Sequence, residues 1–348
     1  MIKVLIVDDS KVDAEMLSYI LSSDSNITVV GIVESGLEAL KIIKEKSPDV
    51  VTMDINFPGF DGLTITREIM QSKAIPIVVI SSAYKKNNTS LAFKAIESGA
   101  LAILEKPVSL LHPDFERQKK EIIKTVKLMS EIKVVTRKAQ ESQSHFQNGN
   151  ISLEKKSLQI IAVGASTGGP VAVLELLKNF KRVDFPPILV VQHITSGFSK
   201  GFADWLRDST SLDVRIAING ERLQNSVVYV APDDLHLGVT KNGIIVLDDG
   251  PEIHHVRPSV SYLFNSVALN YGEKSVGILL TGMGTDGAKE LKLMRDCGAV
   301  TFAQDEESSV VYGMPGEAAR IGAAQYIMPV DKIAYTLLNL IGERNGKS

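Results

Sequence analysis

Residues 159–170 read QIIAVGASTGGP, an apolar run that ends in a glycine-rich turn, and this unit decides the fold. A short β-branched run predicts a buried strand, and Pro170 suits the first turn of a helix. Further strands are predicted at 187–192, 227–231, 244–247, 275–281, 299–303 and 325–328, and helices between several of them at 170–178, 261–270 and 314–321. This alternation predicts a doubly wound α/β domain with a largely parallel sheet. Segment 227–249 has no room for a crossover helix, so we expect an antiparallel hairpin there.

The first part of the chain repeats the pattern. Apolar runs occur at 2–7, 27–33, 49–53, 76–81 and 100–104, and the stretches between them have helical spacing. Residues 137–156 are mostly polar, and the few large apolar residues, Phe146, Ile151 and Leu153, give too little apolar surface to offset the entropy of ordering. The sequence therefore predicts two doubly wound α/β domains, at 1–133 and 157–348, joined by a flexible linker at 134–156.

Composition narrows the class of protein. The 348 residues are 44% hydrophobic and 23% charged, with no apolar run of about 18 residues and no signal-peptide pattern at the amino terminus. A net charge of −3 without a basic stripe argues against a nucleic-acid partner. The one cysteine, Cys297, can form no internal disulfide. We expect a cytoplasmic protein that does not insert into a membrane and that acts on a protein or a small molecule.

Acidic residues follow two strands of the first domain. Asp8 and Asp9 follow the first strand, Asp54 the third, and Lys106 the fifth. In a doubly wound sheet these strand ends meet at one edge, where crowded carboxylates favour a hard cation such as Mg²⁺. Asp54 could then attack phosphorus, with Lys106 and the hydroxyl of Ser81 at the phosphoryl oxygens. Any one of these acidic residues could instead be a helix cap or a solvated loop residue.

Four segments together resemble a response-regulator receiver domain over about residues 1–130. They are VDDS at 7–10, MDINFPGFDG at 53–62, VVISSA at 78–83 and EKP at 105–107. The resemblance implies that Asp54 is phosphorylated by a sensor histidine kinase. It also implies a Mg²⁺ site formed by Asp9, Asp54 and the carbonyl of Asn56, with Asp8 acting through water. Phe57 departs from the usual Met, which concerns loop packing more than chemistry.

Residues 164–168 fit the pattern G-x-S-x-G, which exposes Ser166 on a tight turn between a strand and a helix. A glycine-rich turn of this kind also binds phosphates, so a nucleotide site is a second interpretation. His193 and Asp286 follow other strands of the same sheet, and a Ser-His-Asp triad can be assembled at that edge. Taken singly, His193 could be a satisfied strand-end histidine, and Asp286 could cap the helix that follows it.

The surroundings of the predicted triad suggest an oxyanion hole. Gly282 and Gly284 would let the amide of Met283 point at a developing oxyanion, and the amide of Thr167 follows the serine. Of the remaining histidines, only His236 could line a site, although it follows APDD in an expected turn.

Six segments of the second domain closely resemble the catalytic domain of bacterial protein-glutamate methylesterases. They are GASTGGP at 164–170, QHITSGFSKGFA at 192–203, YVAPDDLHL at 229–237, RPSV at 257–260, LTGMGTDGA at 280–288 and AQDEESSVVYGMP at 303–315. The resemblance spans about residues 158–335. It implies a triad of Ser166, His193 and Asp286, an oxyanion hole that includes Met283, and no cofactor for the esterase. The implied substrate is a γ-glutamyl methyl ester on the cytoplasmic domain of a chemoreceptor, with glutamine deamidation as a second activity.

Three departures from that family concern substrate preference. Thr195, Trp205 and Ser261 stand where other residues are common, and we expect all three to flank the cleft. The leading hypothesis is thus a phosphorylation-activated esterase. The two alternatives are a nucleotide-binding regulator without catalysis and a protein that sequesters a kinase through its receiver.

Overall fold

The computed structural model describes residues 1–55, 62–73, 75–81, 86–107, 109–132, 157–181 and 183–341, without the side chains of 86–91. The chain forms two compact units, Met1–Phe146 and Gln147–Ser348. The predicted linker, residues 134–156, lies wholly outside the described residues. The domain boundaries at 133 and 157 therefore stay a prediction.

The first unit contains one five-stranded parallel sheet in the order β2-β1-β3-β4-β5. Its strands are β1 (Ile2–Val7), β2 (Ile27–Val33), β3 (Val50–Met53), β4 (Ile77–Ser81) and β5 (Ala102–Glu105). Its helices are α1 (Lys11–Ser22), α2 (Gly36–Lys46), α3 (Gly62–Ser72), α4 (Lys86–Glu97) and α5 (Phe115–Glu131). Helix α1 begins where the Ser10 hydroxyl accepts the amide of Asp13, and it buries Leu17, Ile20 and Leu21 as their spacing predicts.

The second unit contains a seven-stranded parallel sheet in the order β14-β13-β12-β6-β7-β9-β8. Its first strands are β6 (Ile160–Ala165), β7 (Ile188–Gln192), β8 (Asp213–Ile216) and β9 (Val227–Val230), and its later strands are β12 (Ser275–Leu279), β13 (Val300–Gln304) and β14 (Tyr326–Met328). The helices are α6 (Gly169–Lys178), α7 (Ser199–Thr210), α8 (Val260–Tyr271), α9 (Ala288–Asp296), α10 (Met314–Arg320) and α11 (Val330–Ile341). Every residue of β6 is buried, which explains its continuous apolar run.

An antiparallel hairpin is present in the second unit, as predicted, but it uses a different first strand. Strand β10 (His236–Val239) pairs with β11 (Ile245–Asp248), whereas β9 pairs in parallel with β7 and β8. The expectation that His236 lies in a turn is therefore wrong, because it is the first residue of β10.

Both sheets reverse their strand order at a central pair, which places a crevice at the carboxyl ends of those strands. The reversal lies between β1 and β3 in the first sheet and between β6 and β12 in the second. The predicted class, two doubly wound α/β units, is confirmed. Within the described ranges, no helix combines the length and the apolar composition needed to cross a bilayer.

Candidate active site and acidic cluster

Ser166 occupies the turn between β6 and α6, at the reversal point of the larger sheet. Its amide donates to the carbonyl of Thr281 over 3.0 Å, and its carbonyl accepts from the Gln192 side chain over 2.8 Å. Gly168 has a φ of +76°, a left-handed conformation that favours glycine and lets the turn enter the helix. The serine backbone is thus held by groups from two neighbouring strand ends.

His193 lies one step across the sheet from Ser166. It follows β7, and its amide donates to the carbonyl of Ala165 over 2.9 Å. Its ring nitrogen Nε2 lies 2.8 Å from Oδ2 of Asp286, so Nδ1 is the nitrogen left for proton exchange with a hydroxyl. Among the described residues, the Ser166 hydroxyl has no hydrogen bond to this ring, and such bonds often form only with substrate bound.

Asp286 is buried, with 2% of its surface exposed, and its two oxygens accept four hydrogen bonds. The donors are Nε2 of His193, the Ser259 hydroxyl, and the amides of Val260 and Ser261. The two amides belong to the first turn of α8, where a negative charge is favourable. Burial alone would raise the pKa of Asp286, but the accepted hydrogen bonds, first that from His193, lower this pKa to about 2. The carboxylate is therefore ionised and oriented before any substrate binds.

The predicted oxyanion donors lie on two loops that meet at Ser166. A Cβ atom on Gly282 would come within 2.6 Å of the Ser166 Cβ, so only glycine allows this approach. The Gly282 carbonyl accepts the amides of Gly313 and Met314, which fixes the loop that carries Met283. In the part of the chain that the structure describes, the amides of Thr167 and Met283 have no protein acceptor. Both amides are therefore available to an oxyanion.

Asp8, Asp9 and Asp54 form the acidic cluster at the reversal point of the smaller sheet, with one ligand atom of each within 4.8 Å of the others. Hard carboxylate oxygens so close together suit Mg²⁺. Asn56, the fourth predicted ligand, lies outside the described residues. Desolvation raises the pKa of Asp8 to about 6 although Lys106 and the Ser10 amide oppose the shift. The protein alone does not supply enough positive charge to this buried carboxylate, which supports the fit of a cation.

Lys106 contacts the acidic cluster and one further carboxylate that the sequence did not indicate. Its Nζ lies 2.7 Å from Asp54, 2.8 Å from Asp8 and 2.9 Å from Asp13. Burial would lower the pKa of Lys106, but the hydrogen bonds to Asp54 and Asp8 outweigh it and raise the pKa. Ser81 is buried at the end of β4, and its carbonyl accepts the Lys106 amide over 3.0 Å. The predicted Asp54, Ser81 and Lys106 are thus neighbours.

Two of the three departures do not flank the cleft as expected. Trp205 is buried and stacks on Phe202 inside the unit. Ser261 is buried, its amide donates to Asp286, and its hydroxyl donates to Glu290 over 2.6 Å and accepts the Gly287 amide. Both expectations are wrong because Trp205 packs within the unit and the Ser261 side chain is enclosed by polar contacts to α9 and the loop before it.

His236 does not line an open site either. Only 1% of its surface is exposed, and its ring contacts the backbone of Pro251 and Ser259. Sequence reasoning also missed Gln192, Ser259 and Thr281, which hold the backbone or side chains of the predicted triad. A signal existed for Ser259, since a serine directly before an apolar helical stretch is a typical N-cap.

A serine hydrolase site consists of a serine, a histidine–aspartate pair and amides that can bind an oxyanion, and the second unit contains all of these groups. The first unit contains an acidic cluster of the kind in which an aspartate is phosphorylated. Residues 161–337 match the CheB methylesterase family, and residues 4–112 match the response regulator receiver domain. The chain therefore belongs to the CheB methylesterase family, as an enzyme with a receiver domain ahead of its catalytic domain.

Individual relatives agree with this assignment. The chain is 47% identical to protein-glutamate methylesterase/protein-glutamine glutaminase 1 of Syntrophus aciditrophicus, over 98% of this chain and 99% of the relative. It is 46% identical to the protein-glutamate methylesterase/protein-glutamine glutaminase of Nitrosospira multiformis, over 99% of this chain and 98% of the relative. The crystal structure of the Thermotoga maritima CheB methylesterase catalytic domain superposes with a TM-score of 0.51 at 37% identity, covering 53% of this chain and 100% of that one. The predicted family and enzyme class are confirmed, which favours the hydrolase over a regulator without catalysis.

Proposed function

We propose that this protein is a phosphorylation-activated serine hydrolase that removes methyl groups from glutamate γ-methyl esters on the cytoplasmic domain of chemoreceptors. It acts in the cytoplasm, and it also deamidates glutamines at similar sites. The observation that carries the proposal is Asp286, which accepts four hydrogen bonds, one of them from His193, whose own backbone is bonded to the residue before Ser166. The names of the relatives, protein-glutamate methylesterase/protein-glutamine glutaminase, support the choice of substrate.

The reaction follows from the positions of these groups. The Ser166 oxygen attacks the ester carbonyl while Nδ1 of His193 takes its proton, and Asp286 stabilises the resulting imidazolium. The amides of Met283 and Thr167 bind the oxyanion of the tetrahedral intermediate. The C–O bond to the methoxy group breaks, and His193 returns the proton so that methanol leaves. Water then cleaves the acyl-enzyme by the same route, releasing the glutamate and the free serine. A glutamine reacts likewise, with ammonia as the leaving group.

The receiver accepts its phosphoryl group on Asp54. A carboxylate oxygen of Asp54 attacks phosphorus as the bond to the donor, a phosphohistidine of a sensor kinase, breaks. Lys106 and Ser81 contact the transferred phosphoryl oxygens. Mg²⁺ held by Asp8, Asp9, Asp54 and the Asn56 carbonyl would offset the charge on that group. The unphosphorylated receiver lowers the activity of the catalytic domain, and phosphorylation relieves this effect to give adaptation in a chemosensory pathway.

One assay tests the proposal. Methanol release from a methylated receptor is measured with the wild-type chain and with Ser166→Ala, each with and without a small phosphodonor and Mg²⁺. We expect release only from the wild type, and faster release with the phosphodonor. Absence of release from the wild type under both conditions would refute the proposed substrate. Release at an unchanged rate with the phosphodonor would refute phosphorylation control.

A 151–348 fragment tests the direction of control. We expect it to release methanol faster than the unphosphorylated full chain and to ignore the phosphodonor. A folded fragment that is no faster would mean that the receiver promotes catalysis or recruits the enzyme instead of inhibiting it.

A further inference from the structure

His236 is a buried histidine that takes no part in the reaction above, yet three contacts fix its ring. Nε2 lies 3.0 Å from the carbonyl of Pro251, and Nδ1 lies 3.2 Å from the amide nitrogen of Ser259. The ring also stacks on Tyr262, with centroids 4.9 Å apart and planes 9° apart. An amide can only donate and a carbonyl can only accept. The contacts therefore select the neutral tautomer with its proton on Nε2.

Ser259 connects this ring to the predicted triad. It is the N-cap of α8, but its hydroxyl donates to Oδ1 of Asp286 over 2.8 Å instead of capping its own helix. Asp286 accepts the next two amides of α8 and so caps that helix from a separate segment. Asp286 does not accept the amide of Ser259 itself, and this amide donates to Nδ1 of His236 instead. Loss of that acceptor would leave a buried donor unsatisfied at the point where Asp286 is held.

We propose that His236 is a positioning residue for ester hydrolysis, acting through Ser259 and the first turn of α8 on Asp286. It touches no reacting atom. It fixes the place of three of the four groups that donate to Asp286, and Asp286 in turn orients His193. Small displacements of such a pair lower the rate of the chemical step more than substrate binding. The inference rests on the proposed function for its kinetic consequence, but its structural part can be tested without substrate.

Two substitutions of His236 separate its two polar contacts. In His236→Asn the side-chain oxygen can take the place of Nδ1 and accept the Ser259 amide. In His236→Gln the amide group takes the place of Nε2, which retains the donor to Pro251 and loses the acceptor. We expect His236→Gln to lower kcat for methanol release about tenfold with KM unchanged, and His236→Asn to stay within about threefold of the wild type, since one such bond is worth about a factor of ten.

A spectroscopic measurement on the full chain needs no substrate. The proton between His193 and Asp286 should give a far-downfield NMR resonance. We expect this resonance to shift upfield or broaden in His236→Gln and to persist in His236→Asn. Unchanged resonance and unchanged kcat in His236→Gln would overturn the proposal. If the wild type shows the resonance but releases no methanol, the proposed substrate fails while the positioning role is still decided by the NMR comparison.

A second pair of variants covers the case in which His236→Gln does not fold. Ser259→Ala retains the hydrogen bond from the residue 259 amide to His236 and removes the hydrogen bond from the hydroxyl to Asp286. We therefore expect kcat to fall about tenfold again, with the fold intact. Ser266→Ala is the matched control on the same helix. Its hydroxyl contacts Leu263 and Val239 and not Asp286, so stability should fall while kcat stays unchanged. Equal kcat values for the two serine variants would show that the Ser259 hydroxyl does not position Asp286, which would overturn the proposed route from His236 through Ser259.

Discussion

Asp286 in the active site and Asp8 in the acidic cluster are both buried carboxylates at the edge of a parallel sheet, yet their pKa values move in opposite directions. Asp286 accepts four hydrogen bonds, and its pKa falls to about 2. Asp8 shares Lys106 with two other carboxylates, and its pKa rises to about 6 because desolvation dominates. The fold itself balances the charge of the first. The charge of the second is not balanced in this way and suits the proposed Mg²⁺, so one site is preorganised and the other would respond to what binds it.

The largest effect should come from removing the nucleophile of the preorganised site. Ser166→Ala should reduce methanol release by at least about a thousandfold, because the remaining groups only bind the ester and its oxyanion. His193→Ala should cost a similar factor, and the double variant should cost little more, since the residues act as a unit. Steady-state assays on methylated receptor measure this. Phosphorylation of Asp54 in the same variant is the control for an intact receiver, and wild-type release by Ser166→Ala would contradict the triad.

Removing the acceptor of the responsive site should abolish covalent labelling. Asp54→Asn should not incorporate phosphate from a small phosphodonor, because an amide is not the required nucleophile. The wild-type adduct should be labile in base, and a chelator should prevent its formation. Autoradiography of the denatured chain measures the outcome. Labelling of Asp54→Asn at the wild-type level, or labelling that ignores the chelator, would mean that the phosphoryl group or the metal binds elsewhere.

The lowered pKa of Asp286 predicts a loss of stability in acid. A carboxyl whose folded pKa of about 2 lies below its ordinary value of 3.8 stabilises the fold above pH 4, and this contribution disappears as the pH falls toward 2. The contribution is about 2 kcal/mol at neutral pH. Asp286→Asn should remove this contribution, because an amide has a single acceptor oxygen and its NH₂ group cannot accept the hydrogen bonds made to the other carboxylate oxygen. Denaturant unfolding followed by the fluorescence of Trp205, the single tryptophan, reports on this unit. The difference between wild type and variant should shrink below pH 4, and a constant difference would contradict the assignment.

The smallest effect concerns Asp13, the carboxylate that shares Lys106 with the acidic cluster. Asp13→Asn removes a negative charge near the phosphoryl group and frees Lys106 for it. The rate of phosphorylation by a small phosphodonor should therefore rise about two- to fivefold, a size typical of a partly exposed ion pair. Glu15→Gln, an exposed change on the same helix, is the matched control and should leave the rate unchanged. Equal rates for both variants would mean that Asp13 does not restrain Lys106.

Sequence patterns predicted both sheets because most of their strands are buried on both faces and read as continuous apolar runs. The strands that were missed are short and mixed. β8 reads DVRI at a sheet edge, and β10 contains Gly238 and begins at His236. Their apolar content is too low for periodicity to reveal them, so the sequence predicts a turn at His236 instead of a strand.

The candidate site was predicted only as far as its residues follow strands. Ser166, His193 and Asp286 converge because parallel strand ends share one edge. Ser259 and Asp13 come from helix starts, and their contacts depend on how those helices pack. Trp205 and Ser261 were misplaced for the same reason, since a linear sequence does not tell which way an isolated position on α7 or α8 faces.

The position of Cys297 offers a chemical handle. It is exposed, follows the last residue of α9, and is the only cysteine in the chain. Helix α9 begins just after Asp286 and is about 13 Å long, which places the thiol away from the serine's turn. A maleimide dye should therefore attach at one known site of the natural sequence. Because the first unit contains no thiol, the label would mark the catalytic domain alone, and its rotational anisotropy would report docking to a receptor without any engineered residue.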